Sequence, residues 1–214
     1  MRPLLLDLFC GIGGAAMGYH QAGFDVLGID SVFQPRFPFD FIQRDALDFL
    51  HEGLRSPVWN MVDAIHASPP CQRHSRMSNC RPGLADGYPA LIEQTREVLE
   101  RTGLPYVIEN VEGAPLREPV TLCAWSFGRD LYRHRLFETN WPLRQPPHRV
   151  HVKPSSKAGH WEPGTVMSVA GNCTPVGHAR EIMEIDWCRR SELAEAIPPY
   201  FTQYVGGQLL DSLK

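Results

Sequence analysis

Leu4-Leu5-Leu6-Asp7-Leu8-Phe9-Cys10-Gly11-Ile12-Gly13-Gly14-Ala15-Ala16 opens the chain with a short apolar run, a glycine cluster and then small residues. The run is bounded by glycines, so it reads as a buried strand, and residues 14–22 carry the spacing of the helix that follows. A second apolar run, residues 24–29, ends at Asp30. Gly11-Ile12-Gly13-Gly14-Ala15-Ala16 satisfies G-x-G-x-x-A between a strand and a helix, with a carboxylate at the end of the second strand. Glycines let backbone approach a ligand, and Asp30 is placed to hold two ribose hydroxyls. The pattern points to an adenosine cofactor without choosing between a nicotinamide dinucleotide and S-adenosylmethionine. A P-loop is excluded, because no Gly-Lys-Ser/Thr follows. A merely tight strand–helix turn is the plain alternative.

Working outward, residues 39–42 read as a third strand, and Asp45 caps a short helix through Leu50. Residues 62–67 form a fourth strand that runs into Ser68-Pro69-Pro70-Cys71-Gln72. Residues 73–88 are rich in Arg, Ser, Asn, Gly and Pro and read as a mobile loop. Residues 88–101 form an amphipathic helix with Leu91, Ile92, Thr95, Val98 and Leu99 on one face. Residues 106–108 form a fifth strand, ending at Glu109-Asn110. This alternation predicts an α/β fold, an open, mostly parallel, doubly wound sheet of Rossmann-like type. Asp7, Asp30, Asp45, Cys71 and Glu109 all fall at or just past strand carboxyl ends, where such sheets bind ligands. Beyond Leu116 the periodicity weakens. Residues 1–138 read as the catalytic, cofactor-binding domain, 139–187 as a small lobe, and 188–214 as a helical segment packing back on the sheet. Helix starts are expected at Thr174-Pro175, Ser191 and Pro198-Pro199.

The 214 residues suit one generous domain, and 43% hydrophobic content builds a core, while 21% charged residues are too few for a disordered chain. No apolar run approaches the ~20 residues of a membrane helix, and Asp7 interrupts the opening run before it resembles a signal peptide. Six cysteines without a Cys-x-x-Cys pair suggest neither a disulfide scaffold nor a zinc knuckle, so cytoplasm with reduced thiols is expected. A net charge of -3 excludes a uniformly basic nucleic-acid coat but leaves room for a local basic groove.

Several residues carry two readings. Asp45 suits an adenine amino group or a plain helix N-cap. Cys71 follows a stiff Pro-Pro turn, with Arg73, His74 and Arg76 nearby to favour a thiolate, as a nucleophile needs; otherwise it is a structural cysteine. Glu109 leaves an apolar strand, where desolvation holds a carboxyl protonated for donation to a ring nitrogen, or it is a solvated strand end. Arg133 and Arg135 alternate on one strand and suit a phosphate or a base carbonyl, or they form a solvated basic face. Arg144, Arg149, Lys153 and Lys157, with Trp141 and Trp161, have the basic–aromatic mix of nucleic-acid contacts. His148-x-x-His151 has the spacing of a metal pair, but no third ligand is evident in sequence, so no metal is expected.

In order, Asp7-Leu8-Phe9-Cys10-Gly11-Ile12-Gly13-Gly14, Pro69-Pro70-Cys71-Gln72, Glu109-Asn110-Val111 and Arg133-His134-Arg135-Leu136-Phe137 resemble the cytosine-5 DNA methyltransferase family, its small phage-type members above all. The resemblance covers residues 4–138; residues 192–200 and 205–209 resemble the closing motifs more loosely. It implies methyl transfer from S-adenosyl-L-methionine to cytosine carbon 5 in DNA, with Cys71 as nucleophile, Glu109 on ring nitrogen 3 and the amino group, and Arg135 on the carbonyl oxygen. Asp7, Phe9, Gly11, Gly13, Asp30, Asp45 and Pro70 would form the cofactor site, with Phe9 against the adenine. Gln72, Ser75 and Arg133 would contact DNA or support the loop. A bacterial or phage-infected cytoplasm is implied, with DNA as partner and neither membrane nor obligate protein partner. Leu131 stands where the family usually has glutamine, the last motif lacks its usual asparagine, and the interval 138–188 is short for a target-recognition domain. A nicotinamide-dependent oxidoreductase would account only for the glycine loop and Asp30. A non-catalytic DNA-binding module on the same scaffold would leave Cys71, Glu109 and Arg135 without a purpose.

Overall fold

The computed structural model describes residues 1–54, 57–70, 91–148, 150–156, 159–171 and 173–214. Its strands are β1 (Leu4–Leu8), β2 (Asp25–Asp30), β3 (Asp40–Gln43), β4 (Ala64–Ala67), β5 (Tyr106–Asn110), β6 (Val120–Cys123) and β7 (His134–Thr139). They form one sheet in the order β3-β2-β1-β4-β5-β7-β6. The β1–β2, β1–β4, β2–β3 and β4–β5 pairs are parallel, whereas β7 runs antiparallel to both β5 and β6. This is the open, mostly parallel α/β sheet that the strand–helix alternation predicts.

Successive side chains on a strand point to opposite faces, and the two layers follow from that. Leu5 and Val107 bury against α1 (Gly14–Ala22), α4 (Val176–Met183), α5 (Arg190–Leu193) and α6 (Pro199–Ser212). Leu6, Leu8 and Ile108 bury on the other face with residues of α2 (Ala46–Gly53) and α3 (Leu91–Thr102). α6 lies against α1 at backbone distance. A Cβ on Gly18 would sit 2.1 Å from both the Pro199 carbonyl and Thr202 Oγ1. Thr202 in turn donates to the Ala15 carbonyl at 2.9 Å. The expected return of the C-terminal helix onto the sheet is thus what the structure contains.

Three elements differ from their sequence reading. The fourth strand starts at Ala64, because a 3-10 turn over Pro57–Met61 precedes it. β6 and the 3-10 turn Ala124–Phe127 have no periodic sequence signal and exist through pairing with β7. The segment 139–187 has no core of its own among the described residues: Met167, Val169, Cys173 and Ala179 belong to the same buried cluster as Leu5 and Tyr19. The loop expected over 73–88 lies outside the described residues.

Candidate active site

A cleft of about 470 Å³ opens at the carboxyl ends of β1, β2, β4 and β5, a size suited to a small-molecule cofactor. Seven of the residues singled out from sequence line it: Asp7, Phe9, Gly11, Asp30, Pro70, Glu109 and Arg135. Gly13, Asp45 and Arg133 do not. Cys71, Gln72 and Ser75 lie outside the described residues.

Asp30 organises the glycine loop. Its two oxygens accept from the Gly11 amide at 2.9 Å and the Val32 amide at 2.9 Å. A carboxylate oxygen has two lone pairs, so acceptor capacity remains for ribose hydroxyls. Phe9 has φ 56°, a left-handed conformation that costs a non-glycine residue energy and marks functional sites; this turn ends the strand and leaves the ring lining the cleft. Gly13, at φ 84°, is tied to its position by packing, since a Cβ there would lie 2.8 Å from Pro38 and 2.9 Å from Phe37. Its contribution is the shape of the turn.

Asp45 serves as the N-cap of α2, accepting from the Leu47 and Asp48 amides at 2.9 and 3.0 Å. Its plain reading is realised, and it stands outside the cleft lining.

Glu109 emerges from β5, buried, with Arg135 beside it. The antiparallel register pairs Glu109 with Phe137, which brings Arg135 diagonally across. Arg135 Nε lies 2.9 Å from Glu109 Oε1, but off the N–H axis, so the contact is an ion pair that leaves the oxygen without an aligned donor. Burial pushes the Glu109 carboxyl above its ordinary range, outweighing the opposing pull of Arg135, Arg133 and the Ser68 hydroxyl. Asp7 is buried too, and desolvation, with Asp30 and Glu109 nearby, drives its carboxyl well above the usual value.

The arginine pair splits. Arg133 is 5% exposed, and its guanidinium donates to the carbonyls of Val169, Ala194 and Ala196. Those three bonds hold the segment that lines the far wall of the cleft, which fits the loop-supporting reading of Arg133 better than a direct contact with DNA. The aromatic residues of the lobe also turn inward. Trp141 and Trp161 pack against the main core, Trp161 stacks on His178 at 4.0 Å, and Lys153 pairs with Asp130 at 2.5 Å. Arg149 and Lys157 lie outside the described residues.

Sequence reasoning missed three features. Asn110 donates to the Pro69 carbonyl at 3.0 Å and so pins the turn that leads into Cys71. Tyr19 OH, His66 and Ser68 Oγ form a buried chain at 3.0 and 2.8 Å, with burial lowering His66 to about 3 and keeping it neutral. Glu-Asn-Val was conspicuous in sequence, but only the fold shows what its asparagine touches. Likewise Glu192, Glu195, Ala196 and Ile197 complete the cleft from the far end of the chain.

The sequence profile of the C-5 cytosine-specific DNA methylases matches residues 4–118, more than half of the chain. The type II methyltransferase M.XorII of Xanthomonas oryzae pv. oryzae is 30% identical over 124 residues, an alignment taking in 52% of this chain and 29% of that protein. The chain therefore spans under a third of that relative's length. Among solved structures, a DNA modification methyltransferase encoded within an E. coli prophage aligns with TM-score 0.63 and 14% identity over 98% of this chain and 99% of that one. The Entamoeba histolytica methyltransferase EhMeth gives 0.61 and 12% over 100% and 99%, and S. pombe Dnmt2 gives 0.58 and 13% over the whole of both chains. At such identities the likeness is one of fold.

Proposed function

Because the chain belongs to the C-5 cytosine-specific DNA methylase family, we propose that it methylates carbon 5 of cytosine in DNA, using S-adenosylmethionine and a transient bond from Cys71. The observation that carries the cofactor is the charge of the cleft. Among its described lining residues are Asp7, Asp30, Glu109, Glu192 and Glu195, against one cation, Arg135. Asp7 is buried with neither oxygen in an aligned hydrogen bond. Such a site suits a cofactor carrying a sulfonium and an ammonium, and it opposes the pyrophosphate of a nicotinamide dinucleotide. The first turn of α1, where a pyrophosphate would dock, is also packed against the Ile197 carbonyl, 2.3 Å from a Cβ built on Gly14.

The residues present fit this cofactor: Asp30 and the glycine loop for the ribose, Phe9 for the adenine face, and Asp7 for positive charge. When bound, the cofactor supplies an electrophilic methyl group. The chain's own residues make cytosine able to accept it. Addition of the Cys71 thiolate to carbon 6 sends the ring electrons towards carbon 5 and nitrogen 3. Glu109, whose affinity for a proton burial raises, takes one up and donates it to nitrogen 3 as charge accumulates there, and Arg135 donates to the carbonyl oxygen. Loss of the carbon-5 proton then expels Cys71 and restores the ring. Carbon 6 is unreachable in a duplex stack, so the target base is flipped out. The short segment after β7 places few side chains for base reading, which favours a short or degenerate target. A DNA substrate fits the expected bacterial or phage-infected cytoplasm; among the described residues no helix is long and apolar enough to cross a membrane.

A DNA carrying 5-fluorocytosine tests the reading, because fluorine replaces the proton that must leave. A denaturing gel should show a covalent complex that requires S-adenosylmethionine, is lost in Cys71→Ser, forms slowly in Glu109→Gln and persists in Cys10→Ser. An adduct that survives Cys71→Ser moves the chemistry to another residue.

A further inference from the structure

At the β6–β7 end of the sheet, Cys123, His134, His148 and His151 offer one ligand atom each, all within 4.8 Å of one another. Cys123 and His134 are directly opposed across β6 and β7. His148 and His151 come from the connection after β7. Cys123 Sγ lies 3.1 Å from His151 Nε2, and His134 Nε2 lies 3.2 Å from His148 Nε2. The three imidazoles stack with centroids 5.1–5.4 Å apart. His134 precedes Arg135 on β7, so the cluster occupies the face of the sheet opposite the cleft.

We propose that these four side chains bind one Zn²⁺ in a closed structural site. Tetrahedral zinc with bonds of ~2.0–2.1 Å to nitrogen and ~2.3 Å to sulfur separates two ring nitrogens by about 3.3 Å and sulfur from nitrogen by about 3.6 Å. The His134–His148 separation matches the first value, the Cys123–His151 separation is about 0.5 Å shorter than the second, and all four ligand atoms lie within 4.8 Å of one another, so small side-chain rotations bring them onto one tetrahedron. A thiol and three imidazoles are soft and borderline donors, matched to zinc and not to magnesium or calcium. Four protein ligands leave no position for substrate, the mark of a structural centre. Glu112 Oε2 lies 4.0 Å from His134 Nδ1, too far for a hydrogen bond but near enough to close on the ring as the carboxylate that orients a ligating histidine. Trp125 stacks on His151, and Tyr132 packs edge-on against His134 and His151. On binding, Cys123 gives its thiol proton to solvent and ligates as thiolate. The irregular spacing of positions 123, 134, 148 and 151 has no zinc-finger signature, so only the pairing of β6 with β7 reveals the set. Its effect is to anchor the root of the post-β7 segment one residue from Arg135.

The experiment uses the purified full chain, stripped with chelator and reloaded with Zn²⁺ or Co²⁺ alone. One equivalent of zinc should survive desalting, and Co²⁺ should give tetrahedral visible absorption with a thiolate charge-transfer band. His148 is exposed, so His148→Ala spares the fold; it should weaken zinc binding by more than the ~10–100-fold that outer-shell changes cost, the loss expected for Glu112→Gln. Cys123→Ser should remove the charge-transfer band. A folded wild-type chain that retains no zinc, retention by His148→Ala equal to wild type, or an octahedral cobalt spectrum overturns the proposal. None of these readouts depends on methyl transfer or cofactor binding.

Discussion

Replacing Asp7 by asparagine removes one of three carboxylates that the fold gathers at the ends of β1, β2 and β5. Asp7 is 1% exposed, and the charged groups acting on it are the carboxylates of Asp30 and Glu109; the Ala16 amide offsets only part of their effect. Neighbouring Tyr19 and Cys10 are themselves pushed up by burial and by Asp7, so neither relieves it. The carboxyl is raised on folding. Between its unfolded value of about 3.9 and its folded value, the folded chain holds the extra proton, so stability falls as pH rises through that window. Within that window the slope is at most about 1.4 kcal/mol per pH unit. For a chain of this length each kcal/mol so lost lowers Tm by roughly 2–4 °C. Asp7→Asn lacks the titration. Thermal unfolding of cofactor-free protein by circular dichroism, from pH 5 to 8, should therefore show the variant gaining on wild type as pH rises. The same variant should bind S-adenosylmethionine more weakly by about 1.5–3 kcal/mol in calorimetry. Parallel Tm curves across the whole range would refute the claim that Asp7 is an uncompensated buried acid.

Arg96 is buried under α3 with its guanidinium on Glu138 at 2.6 and 2.8 Å and on the Pro115 carbonyl at 2.9 Å. Glu138→Gln leaves that charge paired only with the more exposed Glu93 and should cost about 1.5–3 kcal/mol in urea unfolding; a loss under 1 kcal/mol would show water already reaches the pair. Arg133→Met should release the 192–197 wall and lower S-adenosylhomocysteine affinity, yet leave the salt slope of DNA binding unchanged, because a buried arginine neutralises no phosphate. A slope reduced by about one would return Arg133 to the DNA surface.

Local chemistry explains which parts of this structure could be seen in the sequence. The β1–glycine loop–α1 unit was legible because a short apolar run, a turn that needs glycine and a helical spacing lie within twenty residues of one another. α3 was legible from its apolar stripe, and α6 from Pro198-Pro199. The paired arginines were not separable: Arg133 and Arg135 share a periodicity, and their fates differ because Val169, Ala194 and Ala196 present carbonyls to one and Glu109 faces the other. Nothing near residue 133 encodes those partners. Asp45 had two sound readings, and the one chosen depended on where β3 ends relative to the cleft. The third and fourth ligands for His148 and His151 were hidden because they lie on β6 and β7, and β6 has no signal apart from its partner.

The reversed direction of β7 unites these observations. In a sheet whose other central strands run parallel, the carboxyl ends collect the ligand groups. β7 enters that edge by its amino end, since Asn110 at the end of β5 pairs with Leu136 near the start of β7. A parallel β7 would carry its first residues to the opposite edge, leaving Glu109 without Arg135. Reversal also means that neighbours on one strand serve the two faces: Arg135 enters the cleft, and His134 turns to Cys123. Positioning of the guanidinium that would hold a cytosine carbonyl therefore depends on how firmly the amino end of β7 is held. Two restraints act there, Arg133 clamped to three carbonyls on the cleft side and the histidine–cysteine cluster on the other. Loosening either should disturb Arg135 before it disturbs β1 or the glycine loop, so substrate turnover should fall further than cofactor affinity when zinc is withheld.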